Sequence, residues 1–250
     1  MSDQPSAAVL IIGDEILSGR TQDTNLNVIA RFLADLGVDL QEARTVGDGH
    51  DRIVEALDAL RARYDYVITT GGIGPTHDDV TAEAVAAAFG VDLPFHPEAL
   101  AILERRYDGD FNAARRRMAR IPQGATLIRN PVSDAPGFQI DNVFVLAGVP
   151  QIMTAMLDDV RPRMRTGRVK VERAAVVSGA GEGLLAAPLE AAARARPDLS
   201  FGSYPRFAEG GWGVKLVVGG RDVAAVDAAT RELLDLLREA GVPKAEVVDA

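Results

Sequence analysis

The sequence contains no cysteine and only three histidines, and these shortages exclude several kinds of chemistry. Without thiols the chain can form no disulfide, no thiolate nucleophile and no cysteine-ligated zinc site. None of the three histidines has a partner at the helical spacing of a metal-ligand pair, so we expect no histidine-based zinc centre either.

An excess of positive charge and long apolar runs are also missing. Lys and Arg number 27 against 36 Asp and Glu, and the net charge of -9 argues against a nucleic-acid or anionic-membrane surface. The basic run Arg115-Arg116-Arg117 is too short to reverse this balance, and we expect it to be solvated. No apolar run approaches the ~20 residues of a membrane span, and the N-terminal residues do not resemble a signal peptide. We therefore expect a cytoplasmic protein.

The pattern of apolar residues predicts two domains. Residues 1–166 alternate short apolar runs with helical periodicity, which is typical of βαβ units and a mostly parallel sheet with helices on both faces. The segment from His96 to Ile121 interrupts this pattern with two short helices, which we interpret as an insertion packed against the sheet. Residues 167–250 predict a βαββαβ order, which fits a smaller ferredoxin-like α+β domain.

A glycine loop follows the third predicted strand and is the most informative motif. Thr69-Thr70 leads into Gly71-Gly72-Ile73-Gly74, where glycine permits sharp bends and the close approach of a ligand to backbone amides. Such a loop can hold a phosphate, whereas Asp78 and Asp79 directly after it would repel one. A divalent cation between the carboxylates and the phosphate would remove this conflict.

Acidic residues follow all three of the first predicted strands. Because parallel strands end at one edge of a sheet, we expect these side chains to meet in a crevice there. Each acid alone could serve a turn or a helix cap. Together they indicate either a Mg²⁺ site or carboxylate recognition of a pterin-like or guanine-like ring. The acids are Asp14 and Glu15 after the first strand, Asp48 after the second, and Asp78 and Asp79 after the third.

Two familiar nucleotide motifs are absent. The run Gly179-Ala180-Gly181-Glu182-Gly183 fails as a dinucleotide fingerprint because Leu184 stands where a further glycine is needed, and no P-loop lysine pattern occurs.

With these residues the chain resembles the molybdopterin-binding (MoaB/Mog) domain family, and within it the competence/damage-inducible A type. The resemblance covers roughly residues 8 to 165. The matching motifs are Gly13-Asp14-Glu15-Ile16-Leu17, Asp23-Thr24-Asn25, Val46-Gly47-Asp48, Thr69 to Thr81 with Glu83, Ile121-Pro122, Asn130-Pro131, Ala135-Pro136-Gly137-Phe138 and Gly148-Val149-Pro150.

The resemblance implies a three-layer α/β/α domain that binds a pterin or nucleotide phosphate, with a divalent cation (Mg²⁺, Mn²⁺ or Co²⁺) in some members. It implies catalytic and metal-binding roles for Asp48, Asp78 and Asp79. It also implies a set of ligand-binding residues: Thr70, Gly71, Gly72, Gly74, Thr76, Thr81, Asp14 and Glu15.

Two functions remain open at this point. The resemblance favours a metal-dependent pyrophosphatase acting on a dinucleotide such as ADP-ribose or FAD. The alternative is a non-hydrolytic protein that binds molybdopterin or a nucleotide during molybdenum cofactor synthesis. Because the sequence ends at Ala250, we expect no amidase domain of the kind found in full-length competence proteins, and we expect the smaller domain to support a homo-oligomer.

Overall fold

The computed structural model describes residues 4–179, 181–208, 211–242 and 245–248. The chain forms two compact units, Met1–Gly167 and Arg168–Ala250. The boundary predicted from sequence, between residues 166 and 167, lies one residue before this division. No helix of the described ranges combines the length and the apolar character that a membrane span requires.

A six-stranded sheet organises the first unit, in the order β2-β1-β3-β6-β5-β4. The neighbouring strands β2, β1, β3 and β6 are parallel to one another. At the edge beyond β6, β5 is antiparallel to β6, and β4 is antiparallel to β5. The chain leaves β1 to one side to form β2 and returns to the other side to form β3, so the strand order reverses at β1. The strands are β1 Ser6–Ile12, β2 Asp39–Val46, β3 Tyr66–Thr70, β4 Thr126–Ile128, β5 Gly137–Ile140 and β6 Val143–Leu146.

Helices cover both faces of this sheet. One core packs β1 residues Ala8, Leu10 and Ile12 with helices α3 to α5, and the other packs the alternate β1 residues with α2 and α7. Burial of β1 on both faces explains its continuous apolar sequence. The helices are α1 Asp14–Leu17, α2 Asn25–Asp35, α3 His50–Arg61, α4 Thr81–Phe89, α5 Pro97–Tyr107, α6 Ala113–Arg117 and α7 Pro150–Val160, with a 3-10 turn at Arg161–Arg163.

The second unit has the βαββαβ order predicted from sequence. Its four-stranded antiparallel sheet has the order β10-β7-β9-β8, which places the first and third strands of the unit in the centre. Helices α8 and α9 contribute Leu185, Val226 and Leu233 to its core. The elements are β7 Val171–Ser178, α8 Glu182–Ala195, β8 Ser200–Ala208, β9 Gly211–Gly220, α9 Val223–Glu239 and β10 Ala245–Val248.

The predicted fold class is confirmed: a three-layer, mostly parallel α/β/α domain and a small ferredoxin-like α+β domain. Two details go beyond what the sequence predicted. The residues directly after β1 form a short helix, α1. Strands β8 and β9 form a long hairpin, with nine and ten residues respectively.

Candidate functional site

A cleft of about 570 Å³ opens at the carboxyl ends of the parallel strands in the first unit. It lies where the strand order reverses, the usual place for ligands in open α/β sheets. Seven of the predicted site residues line it: Glu15, Asp48, Gly71, Gly72, Gly74, Asp78 and Asp79. The other four do not line it: Asp14, Thr70, Thr76 and Thr81.

Asp14 and Asp48 hold the first two acidic loops together. The backbone N–H of Asp14 donates to Asp48 Oδ2 at 2.9 Å, and the N–H of Asp48 donates to Asp14 Oδ1 at 3.3 Å. The loops approach so closely at Gly47 that a Cβ there would lie 2.2 Å from Asp14 Oδ1. Asp14 therefore shapes the rim, while Asp48 and Glu15 border the cleft itself.

The charges of the three acidic loops act on one another. Burial raises the pKa of Asp48, and the negative charges of Asp14, Glu15 and Asp78 raise it further, against the lowering effect of the Asp14 hydrogen bond. Carboxylates from all three loops are therefore close enough for the first and third to raise the pKa of Asp48 in the second, as the parallel sheet predicts.

Close contacts fix the start of the glycine loop. Gly71 has a φ of +102°, and a Cβ there would lie 2.1 Å from the backbone oxygen of Ile12 at the end of β1. Gly72 has a φ of +67°, and its Cβ would lie 2.1 Å from Thr81 Oγ1. Both positions require glycine for its conformation and for its lack of a side chain.

Thr81 and Thr70 lie beneath the loop. Thr81 is buried at the start of α4, where its hydroxyl donates to Gly71 O at 2.9 Å and its N–H donates to Gly72 O at 3.0 Å. Thr70 is also buried, and its hydroxyl has no hydrogen-bond partner among the described residues. The structure thus places Thr81 as a tether for the loop, and it places neither threonine on the cleft wall.

The backbone N–H groups of Gly72, Ile73 and Gly74 find no acceptor within the described parts of the chain. All three residues line the cleft. Consecutive free amides in a turn of this kind form a binding site for anions. The loop therefore offers donors of the sort that bind a phosphate.

Asp79 is committed to the internal structure of the loop. Its Oδ2 accepts hydrogen bonds from the Thr76 N–H at 2.7 Å and from the Thr76 hydroxyl at 2.5 Å. The nearby Thr76 hydroxyl also lowers the pKa of Asp78, as do the backbone amide of Asp78 itself and the charge of His77. Asp78 therefore stays ionised at the cleft, and its carboxylate is the more accessible of the two.

The predicted metal ligands do not form a preassembled metal centre. Across the described residues, no group of three or more His, Asp or Glu side chains is arranged to hold a metal ion. Asp48, Asp78 and Asp79 all line the cleft, but Asp79 is partly occupied by Thr76. A cation here would need ligands from water or from a bound phosphate, which is how Mg²⁺ is usually held.

Several cleft residues were missed by the site prediction. Tyr107 and Met118 come from the predicted insertion and form an apolar part of the wall. Asn130 organises the opposite loop, because its amide donates to Ser133 Oγ and Ala135 O and its Oδ1 accepts two backbone N–H bonds. The remaining missed residues are Ile12, Gly13, Thr21, Ile73, Pro75, Ser133, Ala135, Ala147, Gly148, Val149, Pro150 and Ile152.

Some of these residues had a signal in the sequence. Asn130 and Gly148 belong to motifs noted above, and a Cβ at Gly148 would lie 3.2 Å from Gly71 Cα, so the two turns are in contact. Asn25, in another of those motifs, is buried and donates from Nδ2 to Gly148 O at 2.7 Å. By contrast, the sequence around Tyr107 and Met118 contains no motif from which the position of the insertion at the cleft could be predicted.

Comparison with known proteins assigns both units. A family model described as "Probable molybdopterin binding domain" matches residues 8–166, and one described as "FAD synthase, middle domain" matches residues 170–246. A CinA-like protein of Citrifermentans bemidjiense is 45% identical over 168 residues, covering 64% of this chain and 41% of that protein. A protein of Archaeoglobus fulgidus is 32% identical over 231 residues, covering 92% of this chain and 97% of its own length.

Among solved structures, the chain is similar to CinA of Thermoplasma acidophilum, which is described as a protein of unknown function. The identity is 36%, the TM-score is 0.61, and the match covers 65% of this chain and 99% of that one. The chain spans about two fifths of the length of the CinA-like relatives that it matches from Citrifermentans and Geotalea. From the match over residues 8–166, the chain belongs to the molybdopterin-binding domain family, as a CinA-like member with an FAD-synthase-like middle domain.

Proposed function

We propose that this chain is a divalent-metal-dependent pyrophosphatase that cleaves a dinucleotide such as ADP-ribose or FAD. The observation that carries the proposal is the meeting of acidic side chains and free amide donors in one cleft of about 570 Å³. That volume falls within the ~300–1,000 Å³ of typical small-molecule sites. A diphosphate held by a cation satisfies both halves of this surface, because its oxygens accept hydrogen bonds from the amides and its cation binds the carboxylates.

The residues divide into two groups with different tasks. Asp48 and Asp78 are the carboxylates that would hold the cation, since Asp79 already accepts two hydrogen bonds from Thr76 whereas Asp48 accepts one, from the Asp14 N–H. When bound, the cation would neutralise the diphosphate and lower the pKa of a water molecule. The amides of Gly72–Gly74 bind phosphate oxygens and stabilise the charge that develops there. In the reaction, water oxygen bonds to one phosphorus and the bridging P–O bond breaks, giving two phosphomonoesters.

Two features indicate the substrate class: the apolar part of the cleft wall and the family match of the second unit. Tyr107, Met118 and Ile152 supply apolar surface for a ring system at the cleft. The match of residues 170–246 to the middle domain of FAD synthase is a reason to test FAD beside ADP-ribose.

The test is release of AMP from ADP-ribose and from FAD by the purified chain, with Mg²⁺, Mn²⁺ or Co²⁺ and with EDTA. Asp78→Asn should reduce turnover at least ~100-fold, because it removes a cation ligand and leaves the loop intact. Asp235→Asn, at an exposed position of α9, is the matched control and should keep wild-type turnover. If no metal supports AMP release from either substrate, the proposed activity is wrong.

A second candidate is non-hydrolytic binding of molybdopterin or a related nucleotide. It is favoured by the engagement of Asp79 with Thr76 and by the lack of a three-carboxylate metal group within the described ranges. Here Asp48 would accept hydrogen bonds from the ring edge of a pterin. Calorimetry with a pterin and with ADP-ribose, each with and without EDTA, separates the two candidates. Pterin affinity that survives chelation supports binding alone, and ADP-ribose affinity that requires metal supports the hydrolase.

A further inference from the structure

The three consecutive arginines at the end of α6 have different environments. Arg115 pairs with Asp110 and lies over the Tyr107 ring, with its guanidinium carbon 4.2 Å from the ring centroid. Arg116 lies over Phe95 at 4.9 Å. For Arg117, the described residues supply neither an acidic partner nor an aromatic ring, although its side chain is partly buried. A guanidinium held in this state is available to bind an anion.

Arg117 lies beside the glycine loop. It lines a crevice of about 20 Å³, which has room for about one water molecule or one oxygen of a ligand. Five residues border both this crevice and the main cleft, so the two spaces are adjacent at the glycine loop. The shared residues are Gly72, Ile73, Gly74, Asp79 and Met118.

The acids in the same crevice already have partners. Glu83 pairs with Arg120 at 2.6 Å, and Asp79 accepts two hydrogen bonds from Thr76. Arg117 therefore places a positive charge beside the glycine loop, whereas the charged residues that line the main cleft itself are all acidic. Arginine is well suited to this position because its planar donors match the geometry of phosphate.

We propose that Arg117 is a phosphate-recognition residue: its guanidinium and the Gly72–Gly74 amides bind the same phosphate group of a nucleotide ligand. The inference rests on the proposed function only in requiring that the cleft takes a phosphate-bearing ligand, and it does not require hydrolysis. It assigns a role to the insertion, which brings Arg117 from outside the sheet to the substrate.

The experiment is calorimetric titration of the full chain with a non-hydrolysable ADP-ribose analogue, AMP and adenosine, each in EDTA and in Mg²⁺, so that binding is measured without and with a cation. Arg117→Ala should weaken ADP-ribose and AMP binding about tenfold or more, the usual effect of losing one hydrogen bond to a charged group. Arg117→Lys should recover part of the loss because it restores the charge without the planar donors. Adenosine affinity should be unchanged in both variants.

Arg105→Ala is the control, since Arg105 is exposed on α5 in the same insertion. Equal ADP-ribose affinity in Arg117→Ala and Arg105→Ala would overturn the inference, and so would a parallel loss of adenosine affinity, which would indicate altered packing. A wild-type chain that binds ADP-ribose without cleaving it would refute the proposed hydrolysis and leave the role of Arg117 intact. A chain that binds no phosphate ligand would refute both.

Discussion

Replacing Gly71 by alanine should distort the junction of β1, β3 and the glycine loop. The added Cβ would lie 2.1 Å from the Ile12 carbonyl oxygen, more than 1 Å short of the ~3.3 Å reached in close C–H···O contacts. Overpacking against backbone costs about 1–3 kcal/mol, and the positive φ of +102° adds about 1–2 kcal/mol for a residue with a side chain. We therefore expect a loss of about 2–5 kcal/mol in the free energy of unfolding.

The assay is urea denaturation followed by hydrogen exchange of peptides from β1 and β3, which reports on the first unit. The control is Gly90→Ala, because Gly90 has a similar positive φ of +63° but nothing within 4 Å of its Cβ position. That variant should lose only about 1–2 kcal/mol. If the two variants lose the same free energy, the contact between Gly71 and Ile12 does not hold the cleft together, and the reasoning is refuted.

Three further predictions concern the charge field, the apolar wall and the sheet. The pKa of Asp48 is raised in the folded chain, so its ionised form is less favourable there than in the unfolded chain. The contribution of Asp48 to the free energy of unfolding therefore falls as the pH rises from the ordinary pKa of ~3.9 through the raised pKa. Asp48→Asn should therefore stabilise the chain at pH 7 and have little effect at pH ~3, as urea midpoints will show. Tyr107→Ala should weaken binding of FAD about tenfold or more, whereas Tyr107→Phe should not, in a calorimetric titration. Asn142→Ala should cost about 1–3 kcal/mol in urea denaturation, because its amide donates to the carbonyls of Arg61 and Tyr64 at 2.9 Å each.

The fold could be predicted because its signals are local. The continuous apolar run of β1 marks a strand buried on both faces, and Gly90 ends α4 in the left-handed conformation. The meeting of the acidic loops also followed from sequence, since parallel strands end at one edge. Alternation of strands and helices therefore fixed both the sheet and the position of the cleft.

The roles of individual side chains could not be predicted in the same way. The sequence could not reveal that Asp14 and Asp48 bond each other's backbone, because this depends on the approach of two loops that are 34 residues apart. Nor could it separate Thr81, which tethers the loop from below, from a residue that faces a ligand. The arginine run was expected to be solvated, yet its last member is partly buried beside the glycine loop. Each of these outcomes is set by tertiary packing.

The most direct test of the account is to map where a non-hydrolysable ADP-ribose analogue binds, from amide chemical-shift changes in the full chain with and without Mg²⁺. We predict that the largest changes fall on residues 13–15, 47–48, 71–79 and 148–149, and that Mg²⁺ increases those at Asp48 and Asp78. Changes confined to residues 168–250, or no changes at saturating ligand, would contradict the claim that acids and amides of the first unit form a single phosphate-binding cleft.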